Sequence, residues 1–118
     1  MRGEPQSVVR RFLAWPGEMY VSTVVVAELE YGVVNSLRKT ENAARLAKFL
    51  EKVNVVDWDH SSARAFAQIR LALRAQPIST EDMMIAACAV AHNAALIINN
   101  TREFARVPNL RLENWATE

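Results

Sequence analysis

The sequence predicts an α/β protein built on a mainly parallel β-sheet. Segments with strand character alternate with amphipathic helical segments along the chain, which is typical of parallel sheets with helical crossovers. The apolar run Ala95–Ile98 directly precedes the polar residues Asn99–Thr101, as expected for a buried strand that ends in a loop. With 118 residues and neither a repeat nor a linker, the chain is expected to form one domain over residues 1–118.

The first third of the chain predicts a helix, a short strand and a second helix. Residues from Pro5 to Trp15 are predicted to be helical, because their apolar side chains recur at helical spacing. Met19–Val21 is short and β-prone, and Ser22 and Thr23 then signal the start of a helix that runs to about Arg38. The β-branched run Val24–Val26 is also compatible with a strand, so this boundary stays open.

The rest of the chain continues the alternation. Thr40 is expected to cap a helix that runs through Lys52, and Val53–Trp58 alternates enough to be a strand. Ser61–Ala75 is predicted to be an amphipathic helix, and Ser79 opens an apolar helix to about His92. Leu110–Trp115 is the last predicted strand.

Composition excludes several classes of protein. A formal net charge of +1 gives no broad basic surface, and the three glycines form no phosphate-cradling loop. The single cysteine, Cys88, excludes an internal disulfide and a Cys-rich zinc site, and its apolar neighbours predict a buried structural thiol. The chain shows no 18-residue apolar run and no signal peptide. We therefore expect a soluble, cytoplasmic protein that does not enter a membrane.

Four polar residues near strand ends or helix starts are candidates for function: Glu28, Asp82, Asn100 and Glu103. Glu28 is a single acid among apolar residues, although a surface helix position would also explain it. Asp82 follows Ser79 by three residues, which matches a capping box and gives it a structural alternative. Spacing alone does not separate Asp82 from its neighbour Glu81.

These acids are expected to converge, because ligand sites in parallel sheets lie at the carboxyl ends of the strands. Clustered carboxylates repel one another unless a cation neutralises them. A hard divalent ion such as Mg²⁺ takes oxygen ligands, keeps several waters and shares its remaining positions with phosphate. Glu28, Asp82 and Glu103 therefore suggest a metal site for phosphodiester hydrolysis by an activated water.

The order and spacing of these residues resemble the PIN-domain ribonucleases, and most closely the VapC-type toxins of bacterial toxin–antitoxin pairs. The matching pieces are Ser22-x5-Glu28-Leu29-x2-Gly32, Asp82-x2-Ile85-Ala86-Ala87, Asn100-x2-Glu103-Phe104 and Leu112-Glu113-Asn114-Trp115. Each piece alone is weak, but together they are specific and span the chain from about Met19 to Trp115.

The resemblance implies a three-layer α/β/α sandwich and a Mg²⁺- or Mn²⁺-dependent endoribonuclease. Such proteins are usually homodimers, act on structured RNA, often tRNA, and are held inactive by a VapB-type antitoxin. Glu28, Asp82 and Glu103 match the second, third and fourth family acids, and Asn100 matches their polar companion. Asp82 is then the principal metal ligand, while Glu28 and Glu103 help to hold the ion or orient the attacking water.

The start of the chain departs from the family pattern. The family opens with a strand ending in an Asp-Thr-Asn motif, whose Asp is the first metal ligand, and nothing before Met19 supplies it. We therefore expect either an N-terminally truncated member or one whose start is misassigned, which as given lacks the first strand and binds metal more weakly. Losing a strand from the middle of the sheet leaves two edges that a partner chain or a rearrangement must cover.

Two further functions remain open. An inactive PIN fold that still binds an antitoxin explains the same motifs without cleavage. A plain α/β interaction domain, whose acids only cap helices or face solvent, explains the acids without either activity.

Overall fold

The computed structural model describes residues 12–14, 18–98 and 103–114, and its core is a five-stranded sheet with helices packed against it. The strands are β1 (Phe12–Ala14), β2 (Met19–Ser22), β3 (Asn54–Val56), β4 (Ala95–Ile98) and β5 (Arg111–Asn114). The α-helices are α1 (Thr23–Val34), α2 (Lys39–Leu50), α3 (His60–Ala72) and α4 (Thr80–Ala91), and a 3-10 turn covers Phe104–Arg106. The predicted α/β class is confirmed.

The strand order is β3-β2-β1-β4-β5. β2 and β3 are parallel, and so are β4 and β5, whereas β1 is antiparallel to both of its neighbours. Four strands therefore run in one direction, as expected of a mainly parallel sheet, and the middle strand runs against them.

The predicted helix from Pro5 to Trp15 is wrong where the structure describes it. Phe12–Ala14 is a strand, and the remaining residues of that prediction lie outside the described part of the chain. Phe12 and Leu13 are buried, at 6% and 1% exposure, between β2 and β4. Pairing and burial thus override the helical spacing.

Three of the four described helices start where a side chain accepts a hydrogen bond from a backbone N–H of the first turn. Ser22 caps α1 by accepting from Val25 N–H at 3.4 Å, which resolves the Val24–Val26 run in favour of helix. Ser79 caps α4 as predicted. The prediction for Thr40 is wrong: the cap position lies two residues earlier, at Arg38, which makes no capping hydrogen bond, and Thr40 lies inside α2.

The end of α4 turns the chain directly into β4. Asn93 has a left-handed backbone with φ of 57°, a conformation that asparagine tolerates. Its N–H donates to Val90 O at 3.2 Å, and Ala94 N–H donates to Ala89 O at 2.9 Å. This pair of bonds is a Schellman motif, so α4 runs back along the sheet and its first turn lies at the carboxyl end of β4.

The core joins the middle of the sheet to α4 and the inner sides of the other helices. Its fully shielded members, with 0% exposure, include Val21, Val25, Ile85, Cys88 and Leu96. Helices α3 and α4 pack against each other, and α1 contacts both α2 and α4. Within the described ranges, no helix is long and apolar enough to cross a membrane.

Candidate active site at the carboxyl edge of the sheet

The four strands that share a direction end at one edge of the sheet, and the predicted acids follow that edge. Thr23 begins α1 directly after β2, and Glu28 lies about 8 Å further along that helix. Asp82 is the third residue of α4, whose start lies at the same edge. Glu103 follows β4 and immediately precedes the 3-10 turn. The starts of α1 and α4 therefore lie at one end of the sheet. The convergence of Glu28, Asp82 and Glu103 at that end stays a prediction.

The environments of these acids differ. Asp82 is half-buried, its Oδ1 is shielded from solvent, and its N–H donates to Ser79 Oγ at 3.0 Å. The positive end of the α4 dipole favours a carboxylate at this position. Glu28 is half-buried and Glu103 is exposed. Asn100 lies outside the described residues.

Glu81, the neighbour that spacing could not separate from Asp82, is also half-buried. Its Oε2 is shielded from solvent and has no hydrogen-bond partner among the described residues. A buried carboxylate oxygen without a partner is costly and attracts a cation or a water. Burial thus leaves both acids of the first turn as candidates.

The acids do not form a closed metal cage. Among residues 12–14, 18–98 and 103–114, no three His, Cys, Asp or Glu side chains are placed to hold one ion. The ion shared by Glu28, Asp82 and Glu103 therefore stays a prediction. Mg²⁺, however, is commonly held by one or two carboxylates and keeps several waters. The half-buried carboxylate of Asp82 fits an ion held in that way.

Trp58 links the elements that carry the acids, through hydrogen bonds that no local sequence signal predicts. Its backbone N–H donates to Thr23 Oγ1 at 3.1 Å, and its indole N–H donates to Met84 O at 2.8 Å. Its ring meets Phe66 edge-on, with centroids 6.1 Å apart. Trp58, which lies between the end of β3 and the cap position of α3, Asp59, thus contacts α1, α3 and α4.

A second polar cluster joins the opposite ends of α3 and α4. Asp59 Oδ1 accepts from the backbone N–H and the hydroxyl of Ser62, both at 3.0 Å, and Oδ2 lies 3.5 Å from His92 Nε2. The Ser62 backbone N–H is the main cause that lowers the pKa of Asp59. Ser62 is fully buried, so this cluster fastens two helices together and offers no accessible nucleophile.

Comparison with known proteins identifies the family. The PIN domain model matches residues 1–110. The tRNA(fMet)-specific endonuclease VapC of Shigella flexneri is 37% identical over 118 residues, which cover 98% of this chain and 89% of that one. Ribonuclease VapC2 of Rickettsia felis is 38% identical over 105 residues, covering 87% of this chain and 78% of the relative.

Solved structures agree. VapBC2 from Rickettsia felis, bound to a DNA fragment from its promoter, matches with a TM-score of 0.77 and 39% identity over 81% of this chain and 74% of that one. DNA-bound VapBC from Salmonella typhimurium matches with a TM-score of 0.79 and 34% identity, over 82% and 75%. The chain belongs to the PIN-domain family and, within it, to the VapC ribonucleases. PIN nucleases generally use a divalent metal ion.

Proposed function

We propose that this chain is the toxin of a VapBC-type pair: a cytoplasmic, homodimeric endoribonuclease that uses Mg²⁺ or Mn²⁺ to cleave structured RNA, with tRNA as a candidate substrate. A VapB-type antitoxin is its proposed partner. The observation that carries the proposal is the alignment of 98% of the chain with a VapC named as a tRNA(fMet)-specific endonuclease. The position of Asp82 in a helix start at the carboxyl edge supports it.

Asp82 is the residue proposed to hold the cation. Its backbone is fixed by the Ser79 cap, and the positive end of the α4 dipole favours a negative charge at this position. When bound, a divalent ion supplies a polarised water and neutralises charge on the phosphodiester. Glu28 and Glu103 are proposed to help hold the ion or to orient the attacking water, with Asn100 as their polar companion.

Cleavage of RNA by the purified, antitoxin-free chain tests this function. Asp82→Asn is expected to lower the cleavage rate about 100-fold or more, because it removes the main charge that binds the cation. Chelation by EDTA should have the same effect, and added Mg²⁺ or Mn²⁺ should reverse it. Initial rates on a labelled tRNA and on unstructured RNA measure both activity and preference.

Matched variants separate the acids from one another. Glu28→Gln is compared with Glu30→Gln, which changes an exposed acid on the same helix, and only the first should slow cleavage. Glu81→Gln tests the neighbour of Asp82. Cleavage that survives both EDTA and Asp82→Asn would contradict the metal mechanism.

Binding without cleavage is the alternative outcome. The lack of a three-acid group among the described residues favours weak metal binding, so an inactive fold that still captures an antitoxin is the second candidate. Stable co-purification with a VapB-type antitoxin, together with no cation-dependent cleavage by the free chain, would select it.

A further inference from the structure

Trp58 occupies the junction between the two helices that bear Glu28 and Asp82. Ser22 and Val56 are register partners at the ends of parallel β2 and β3. Directly beyond them, the N–H of Trp58 donates to Oγ1 of Thr23, the first residue of α1, at 3.1 Å. This bond extends the pairing of the two strands past the carboxyl edge and fixes the start of α1 against the end of β3.

The side chain of Trp58 then fixes α4. Its indole N–H donates at 2.8 Å to the carbonyl of Met84, two residues beyond Asp82. Inside a helix this carbonyl is already the acceptor for the residue four positions later, and its second lone pair accepts the indole. A side-chain bond to a helix carbonyl restrains both the rotation of the helix and its position along the axis.

We infer that Trp58 is a positioning residue, which sets the Asp82 carboxylate of α4 against the Glu28 carboxylate of α1 through its two hydrogen bonds. The inference rests on the proposed function, since it concerns the geometry of the cation site. An ion held by few carboxylates depends strongly on their spacing, because small displacements of ligands cost binding and rate.

A residue that served only as core filling would not need the indole nitrogen. The edge-on contact between Trp58 and Phe66 would be largely kept by a phenylalanine. Trp58→Phe therefore keeps an aromatic ring and removes one donor. Thr23→Val removes the acceptor of the other bond, while Thr23→Ser keeps a hydroxyl in the same place. Ile69→Val, a buried change in α3, serves as the control for lost packing.

The experiment measures the thermal shift caused by Mn²⁺ without RNA, and cleavage of RNA with Mg²⁺, on the full chain. Trp58→Phe and Thr23→Val should each weaken Mn²⁺ binding and lower kcat about three- to tenfold, the effect of losing one hydrogen bond, with KM for RNA unchanged. Thr23→Ser should behave as wild type. Ile69→Val should lower the melting temperature but leave the Mn²⁺ affinity and kcat unchanged.

The outcomes distinguish the two proposals. A wild-type chain that shifts with Mn²⁺ but cleaves no RNA would overturn the proposed function, and the Mn²⁺ titration would still decide the role of Trp58. Equal Mn²⁺ affinity in wild type and Trp58→Phe would overturn the inference while the nuclease assignment stood. A loss in Ile69→Val as large as in Trp58→Phe would also overturn it, because the effect would then follow packing alone. A wild type without any Mn²⁺ shift would overturn both.

Discussion

Cys88, on α4, lies in a part of the protein core from which water is excluded. Its side chain is fully shielded from solvent, which confirms the predicted buried thiol. Burial is the main cause that raises the pKa of this thiol from 9.0 to about 11. The interior disfavours the thiolate, so the group is unreactive in the native protein.

This shift predicts a loss of stability at alkaline pH. The native pKa lies above the ordinary value, so the contribution of Cys88 is complete below pH 9 and declines as pH rises toward about 11. Urea unfolding from pH 8 to pH 11 should show wild type losing on the order of 2 kcal/mol more than Cys88→Ala. Parallel pH profiles for the two proteins would contradict the raised pKa of the buried Cys88 thiol.

Single residues of the site differ in how far the sequence predicts them. Asp82 is marked by a local signal, the serine three positions earlier, and its cap is confirmed. Trp58 carries no such signal, because its acceptors, Thr23 and Met84, lie 35 and 26 residues away. The partial burial of Glu81 is equally a product of tertiary packing.

At the scale of elements, the cap of α4 is the feature most open to test. Ser79→Ala removes the acceptor of the Asp82 N–H and should lower the free energy of unfolding by about 1 kcal/mol. Ser79→Asn supplies another capping oxygen and should be nearly neutral. Chemical denaturation followed by circular dichroism measures both variants, and a Ser79→Ala variant as stable as wild type would show that the hydroxyl bond is unimportant.

The elements that the sequence predicts best are those that carry a local signal. The helix that opens at Ser79 and the strand Ala95–Ile98 appear where the sequence placed them, because cap and apolar run are local signals. Phe12–Ala14 was predicted as helix, since its apolar spacing fits a helix as well as a buried strand. Only the neighbouring strands, one of them far away in sequence, decide between the two.

At the scale of the whole molecule, the reversed middle strand should be part of the stable core. Leu13→Ala is expected to lower the free energy of unfolding by about 2–5 kcal/mol, because Leu13 is 1% exposed between two strands. Leu71→Ala, at a site 58% exposed, should change it by less than about 0.5 kcal/mol. Thermal or urea unfolding compares them, and a small effect at Leu13 would contradict its place in the sheet.

The two strands that pair with β1 lie at very different distances from it along the sequence. Leu13 meets Tyr20 only seven residues later (20 − 13), whereas Phe12 meets Ile97 after 85 residues (97 − 12). The pairing of β1 with β2 can form within microseconds as a local hairpin. The pairing of β1 with β4 cannot form until most of the polypeptide is present. During synthesis, one edge of β1 therefore keeps unpaired backbone N–H and C=O groups until Ile97 emerges from the ribosome. Until then, this edge can pair wrongly with a neighbouring nascent chain.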